Sequence, residues 1–189
     1  IGEGDVVDMQ TTTGTYIAEG FVSHNTTLIA ILWLDHALFN ADQRCGIIAQ
    51  DRDAAKVIFR DKVKFAYTNL PEQLRERFPL AADNADELLF AHNNSSIRVA
   101  TSMRSGTIHR LHISEFGKIC AKYPDKAQEV VTGSIPAVPT NGILVIESTA
   151  EGREGEFFNM VEQAQKLHAA KLPLTPKDYR FHFYAWWQE

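Results

Sequence analysis

The sequence predicts an α/β fold, in which a mostly parallel sheet carries helices on its faces. Short apolar runs, such as Cys-Gly-Ile-Ile-Ala at 45–49 and Ile-Leu-Val-Ile at 143–146, have the length and composition of buried strands. Segments with helical patterning separate these runs, as parallel strands require. The 189 residues suffice for one domain with a sizeable core.

Each predicted element has a local signal. A strongly apolar helix begins at Thr26, and we expect it to be buried on most faces. Asp51 or Asp53 would cap the next helix, and His-Asn-Asn-Ser at 92–95 is a hairpin turn. The strand at 142–148 is the clearest buried one. The predicted helices are 26–39, 51–69, 72–78, 125–132 and 155–170, and the predicted strands are 44–50, 87–91, 96–102, 111–114, 142–148 and 179–187.

The first 25 residues differ from the rest and predict a small β-hairpin module. Residues 1–10 alternate loosely, 11–14 form a turn signal, and 15–23 predict a strand that contains Gly20. A helical pattern starts immediately afterwards, so we place a boundary between residues 1–25 and residues 26–189.

Composition narrows the possible functions. The formal net charge of −5 argues against broad, nonspecific binding of nucleic acid by this part of the protein. Cys45 and Cys120 lie far apart and form no Cys-x-x-Cys pair, which predicts two free thiols. No apolar run reaches the ~20 residues that a membrane span needs.

The end of the first module reads Tyr-Ile-Ala-Glu-Gly-Phe-Val-Ser-His-Asn at 16–25, followed by Thr26. This run resembles the C-terminal end of an intein, whose last residue is Asn, preceded by His and followed by Cys, Ser or Thr. The resemblance implies that Thr26 accepts the acyl group, that Asn25 cyclises to cut the chain, and that His24 assists. The remainder of an intein is not in this sequence, and Gly14 stands where many inteins carry a polar catalytic side chain.

A second motif is His-Arg-Leu-His-Ile-Ser-Glu-Phe-Gly-Lys at 109–118. A hydrophobic strand that ends in an acidic residue resembles the Walker B strand of P-loop NTPases, in which the carboxylate lies beside the phosphates. By this resemblance Glu115 activates the attacking water. Ser114 stands where many such enzymes have a metal-associated Asp, so it could hold a metal only through water. A solvated Glu at a helix start is the alternative.

Two further sets of residues fit this interpretation. Ser148 and Thr149 end the next strand, where related motors sense the γ-phosphate, although Ser and Thr also cap strand ends. Arg104 precedes the Walker B-like strand and could contact phosphate or DNA, or be a surface residue. Thr26 and Thr27 open a helix, as the Ser/Thr of a P-loop does. The Gly-Lys stretch of that loop is absent, and we expect it upstream of the intein.

Residues 26–187 resemble the ATPase domain of viral terminase large subunits almost throughout. The shared features include Gly-Ile-Ile-Ala-Gln-Asp, Thr-Ser-Met-Arg-Ser-Gly-Thr, Leu-His-Ile-Ser-Glu and Glu-Ser-Thr-Ala-Glu-Gly. The resemblance implies a P-loop-type fold, ATP and Mg²⁺ as cofactors, and Thr26 as a metal-contacting hydroxyl. It also implies a motor that packages double-stranded DNA in the host cytoplasm, with a portal protein and a small terminase subunit as partners and with several copies arranged in a ring. A nuclease domain would follow residue 189.

Other interpretations remain open at the level of sequence. The chain could be an intein fragment whose own activity is splicing, another helicase-like P-loop ATPase, or an inactive α/β domain. If Glu115 is not the catalytic carboxylate, Glu147 and Glu151 are the next candidates.

Overall fold

The computed structural model describes residues 16–18, 21–23, 25–104 and 106–183, and it describes side chains from Thr26 onward. The first two strands form a separate hairpin: β1 (Tyr16–Ala18) pairs antiparallel with β2 (Phe21–Ser23). The prediction of one strand over 15–23 was therefore wrong. The sequence held a signal against a single strand, because Gly20 falls inside the predicted range and glycine weakens a strand interior. The predictions for 1–14 fall outside the described residues.

A six-stranded mixed sheet forms the body, and most of its strands are parallel, as predicted. Its strands are β3 (Arg44–Ile48), β4 (Leu80–Asp83), β5 (Glu87–Phe90), β6 (Ser96–Ala100), β7 (Arg110–Ser114) and β8 (Ile143–Glu147). The order across the sheet is β4-β5-β6-β3-β7-β8. Strands β6, β3, β7 and β8 are mutually parallel, while β4 and β5 add as an antiparallel extension.

Helices come soon after the strands in the sequence, but their winding is less regular than predicted. They are α1 (Asn25–Phe39), α2 (Arg52–Ile58), α3 (Phe65–Thr68), α4 (Glu72–Arg77), α5 (Phe116–Lys122), α6 (Pro124–Glu129) and α7 (Gly155–Ala170). A π-helical stretch, Phe59–Lys64, joins α2 to α3, so the predicted helix over 51–69 is continuous but unevenly wound. Another, Val130–Ser134, extends α6. The sequence patterns did not reveal α5 and β4.

The sheet separates two apolar cores. On one face, Trp33 and Leu34 of α1 pack with Ile47 of β3 and with Phe59 and Val63 of the π-helical stretch. On the other face, Leu111 and Ile113 of β7 pack with Phe116, Ile119 and Val130. Alternate residues of a strand point to opposite faces, so β3 contributes Ile47 to one core and Ile48 to the other. As predicted, Cys45 and Cys120 are free thiols, and burial raises the pKa of Cys45 to about 12.

Three burial or strand predictions were wrong. Strand β8 lies at the edge of the sheet with one neighbour, so it is only half-buried and Ile143 is 46% exposed. Helix α1 buries one face, while Leu28, Ile31 and Leu32 are about half exposed. Residues 179–183 form no strand, and the rest of that predicted element lies outside the described residues. Within the described ranges, no helix combines the length and apolarity needed to cross a membrane.

Candidate active site

The site lies where β7 and β8 end and α1 begins. The two strands are parallel, and their register pairs Ser114 with Glu147, the last residue of each strand. Since parallel strands end at a common edge, side chains from distant parts of the sequence meet there. Helix α1 starts at Asn25 and brings Thr26, in its first turn, to the same edge.

Three oxygen atoms from three elements form a triangle at this edge. Thr26 Oγ1 lies 3.2 Å from Ser114 Oγ and 3.3 Å from Glu147 Oε1. Ser114 Oγ donates to the same carboxylate oxygen at 2.8 Å. The Ser114 side chain is almost completely buried, so the carboxylate is held by hydroxyl groups inside the protein.

His112 lies behind this triangle. Its side chain is fully buried, and its Nε2 is 3.3 Å from Glu147 Oε1. Despite that proximity, neither ring nitrogen has a hydrogen bond of good geometry within the described part of the chain. A buried imidazole without a well-formed hydrogen bond is costly, which sets His112 apart from an ordinary core residue.

The electrostatics of Glu147 favour its charged form. Burial acts to raise the pKa of the carboxyl group, but the neighbouring His112, Ser114 and Thr26 side chains outweigh burial and hold the pKa below its ordinary value. Glu147 is therefore a carboxylate at neutral pH, with 18% of its side chain exposed.

Glu115, the next residue along the chain from Ser114, has an unusual backbone. Its φ of 55° and ψ of 45° are left-handed, a conformation that costs a residue with a Cβ about 1–3 kcal/mol. This conformation ends β7 and starts α5 without a loop, so the carboxylate stays at the sheet edge. Strain of this kind is concentrated at functional sites.

Two elements hold the Glu115 carboxylate. Thr149 Oγ1 donates to Oε2 at 3.2 Å, Ser148 Oγ lies 3.5 Å away, and Lys118 Nζ lies 3.2 Å from the same oxygen. Gly117 N donates to Ser148 Oγ at 3.0 Å. A Cβ at Gly117 would lie 2.8 Å from Ser148 Oγ, so this close approach of α5 to the end of β8 requires glycine.

The structure thus gathers some of the predicted residues and separates others. Thr26, Ser114, Glu115, Ser148 and Thr149 meet at one edge. The structure places Arg104 elsewhere, in an ion pair with Glu129 at 2.6 Å. Thr27 Oγ1 is buried and has no hydrogen-bond partner within the described part of the chain, so no hydrogen bond joins it to this cluster. His24 lies outside the described residues, and of Asn25 only the backbone is described.

Sequence reasoning missed three contributors: Glu147 as a partner of Thr26 and Ser114, His112 as its neighbour, and Lys118 beside Glu115. Glu147 had a detectable signal, because it ends an apolar strand just as Ser114 does. The signal was ambiguous without the register that places these two residues side by side. Lys118 could have been found from its i,i+3 spacing to Glu115.

The sequence matches no protein-family model and no curated protein. The fold and the site therefore define the class to which the protein can be assigned. It is an α/β protein with a mixed, mostly parallel six-stranded sheet and flanking helices, an arrangement compatible with a P-loop-type fold.

Proposed function

We propose that residues 26–189 belong to the ATP-hydrolysing domain of a terminase large subunit, a motor that drives double-stranded viral DNA into a capsid. The main support is the position of Glu115, whose carboxylate lies at the carboxyl end of β7 with Thr149 and Lys118 bound to it. Ligands of open α/β sheets bind at this edge. The motif resemblance supplies the choice of ATP and of DNA packaging.

Glu115 is the proposed general base that orients and deprotonates the attacking water. Its strained backbone and its two neighbours fix the carboxylate without burying it, since 30% of the side chain is exposed. Ser148 and Thr149 connect the end of β8 to the Glu115 carboxylate. A movement of these two residues would therefore move the carboxylate. Through this contact, a strand end that senses the γ-phosphate could change the position of the base and hence the rate of ATP hydrolysis.

The residues present fit Mg²⁺, the cofactor that such a function implies. Magnesium prefers oxygen ligands, and Thr26 and Ser114 offer hydroxyl oxygens at the start of α1 and the end of β7. When bound, the ion would neutralise charge on the transferred phosphoryl group. The proposed partners follow the resemblance: DNA, a portal protein, a small terminase subunit and further copies in a ring, acting in the host cytoplasm. Another helicase-like P-loop ATPase is the alternative within the same class.

The decisive experiment is Glu115→Gln in a protein that also carries a Gly-Lys phosphate loop upstream of Thr26. We expect ATP turnover to be lost, with a fall of at least about 100-fold, because Gln cannot take a proton. Nucleotide affinity should stay the same. The control is Glu154→Gln, an exposed glutamate in the loop before α7. Retained turnover in Glu115→Gln would move the catalytic carboxylate to another residue.

A second candidate, protein splicing, is favoured by the hairpin of β1 and β2, which ends two residues before Asn25. In this proposal the Asn25 side-chain amide attacks its own backbone carbonyl, and the amine of Thr26 leaves. This chain holds only the end of an intein and cannot splice alone, so the test is its intact mass after incubation with the missing N-terminal part of an intein. We expect a product that begins at Thr26 and an N-terminal peptide one water lighter than its free acid. Asn25→Ala should abolish both, and an uncut wild-type chain would count against the proposal.

A further inference from the structure

We propose that Thr26 Oγ1, Ser114 Oγ and Glu147 Oε1 form one face of a binding site for a small divalent cation. Glu147, from the neighbouring strand, supplies the negative charge that Ser114 lacks. This inference rests on the proposed function for the identity of the cation, and it assigns a role to a residue that the motif comparison left without one.

The distances fit a coordination face. In an octahedral magnesium site with metal–oxygen distances of 2.0–2.1 Å, adjacent ligand oxygens lie about 2.9 Å apart. The three edges of the triangle measure 2.8, 3.2 and 3.3 Å. Hydrogen bonds hold the same oxygens at this spacing in the free protein, so the cation would require only small movements and a rotation of the two hydroxyl hydrogens away from the centre of the triangle.

The charge and the solvent exposure of the Glu147 carboxylate also fit a cation site. Glu147 Oε1 receives all three contacts described above, and part of the Glu147 side chain is open to solvent. Within the described residues, no group of three or more His, Cys, Asp or Glu side chains is arranged to hold a metal. One carboxylate is nevertheless ordinary for magnesium, which keeps several waters and commonly binds one or two carboxylates together with phosphate oxygens.

His112 is the independent observation that points to a ligand. Its ring is fully buried, lacks a well-formed hydrogen bond, and aims Nε2 at Glu147 from 3.3 Å. Carboxylates that bind metals are held by such neighbouring groups, whose loss typically weakens metal affinity 10–100-fold. We therefore interpret His112 as a positioning residue that keeps Oε1 turned toward Thr26 and Ser114.

The test uses the whole 189-residue chain and Mn²⁺ alone, without nucleotide. Mn²⁺ broadens the NMR signals of nearby amides, so substoichiometric additions locate even a weak site. We expect the amide signals of Thr26, Ser114 and Glu147 to broaden first. In Glu147→Gln, the Mn²⁺ concentration needed for the same broadening should rise at least about tenfold. The matched control, Glu154→Gln, should resemble the wild type.

Other outcomes overturn the proposal. Broadening centred on Glu115 and abolished by Glu115→Gln would assign the cation to the other carboxylate. Uniform broadening, or none, would remove the site. Glu115→Gln decides between these results even if Glu147→Gln does not fold, because it should leave the broadening unchanged when the cation binds at Glu147. A correct Mn²⁺ pattern without ATP turnover in the complete protein would reject the proposed function and leave the cation site standing.

Discussion

Glu115 and Glu147 lie at the ends of two neighbouring strands, β7 and β8, and each is held by its own set of side chains. Glu115 directly follows β7 and is held by Thr149 and Lys118, whereas Glu147 is the last residue of β8 and is held by Ser114 and Thr26. The two carboxylates therefore have different neighbours and different exposure. This separation allows one to act as a base while the other binds a cation.

The left-handed backbone of Glu115 leads to a prediction about stability. We expect Glu115→Gly to be more stable than Glu115→Ala by about 1 kcal/mol, because a Cβ is unfavourable at positive φ. Both variants lose the same carboxylate contacts, so the comparison isolates the backbone. Urea unfolding followed by circular dichroism measures the difference. Equal stability of the two variants would show that residue 115 relaxes out of the left-handed region.

At the scale of elements, side-chain hydrogen bonds fix the helices at their starts and against the sheet. Helix α6 is tied to the end of β3 by Lys126, whose Nζ donates to the carbonyl oxygens of Ala49 and Gln50 at 2.9 and 2.7 Å. Helix α2 begins with an N-cap, in which Ala54 N donates to Asp51 Oδ1 at 2.8 Å. The sequence offered Asp51 and Asp53 as equal candidates for that cap, and the structure selects Asp51.

The cap provides a matched pair of variants. We expect Asp51→Ala to lower the free energy of unfolding by about 1 kcal/mol, because an amide at the helix start loses its acceptor. Asp53→Ala should change it by less than about 0.5 kcal/mol, since that side chain is 94% exposed and pairs only loosely with Lys56. Chemical denaturation of both variants gives the comparison. Equal losses would mean that the charge near the helix start matters more than the cap.

At the scale of the whole molecule, the described residues leave two surfaces incompletely covered, one on the sheet and one on its first helix. Strand β8 has one neighbour although its sequence is that of a central strand, and the outward face of α1 exposes Leu28, Ile31 and Leu32. Apolar strands and helices of this kind are normally covered on both sides. The core is therefore complete around β3 and β7 and thinner toward β8.

The sequence contains no Gly-Lys-Ser/Thr phosphate loop, so we predict that the 189-residue chain binds ATP poorly. The backbone amides and the Lys of that loop supply much of the phosphate binding in P-loop proteins. Calorimetry with ATP and Mg²⁺ should show no micromolar affinity, and a protein with the loop restored upstream of Thr26 should show it. Micromolar binding by the chain alone would require a different nucleotide site.

Features of the fold and the site that depend on neighbouring residues could be predicted from the sequence, whereas those that depend on contacts between distant residues could not. The alternation of apolar strands with helices determined the α/β class and the parallel core of the sheet, because burial on both faces requires continuous apolar runs such as the one at residues 45–49. The strand ends also identified Ser114, Glu115, Ser148 and Thr149, since local composition changes abruptly from apolar to polar there. These signals extend over a few residues and can be recognised without knowledge of the fold.

The tertiary structure alone decided which of those residues meet. Ser114 and Glu147 are 33 residues apart, and Thr26 and Glu147 are 121 apart. Their contact depends on the register of β7 with β8 and on where α1 begins, both of which are set by packing across the whole sheet. The same global packing placed β8 at an edge, left α1 half covered and paired Arg104 with Glu129. The sequence determined which polar side chains lie at the sheet edge, and the fold determined which of them contact one another.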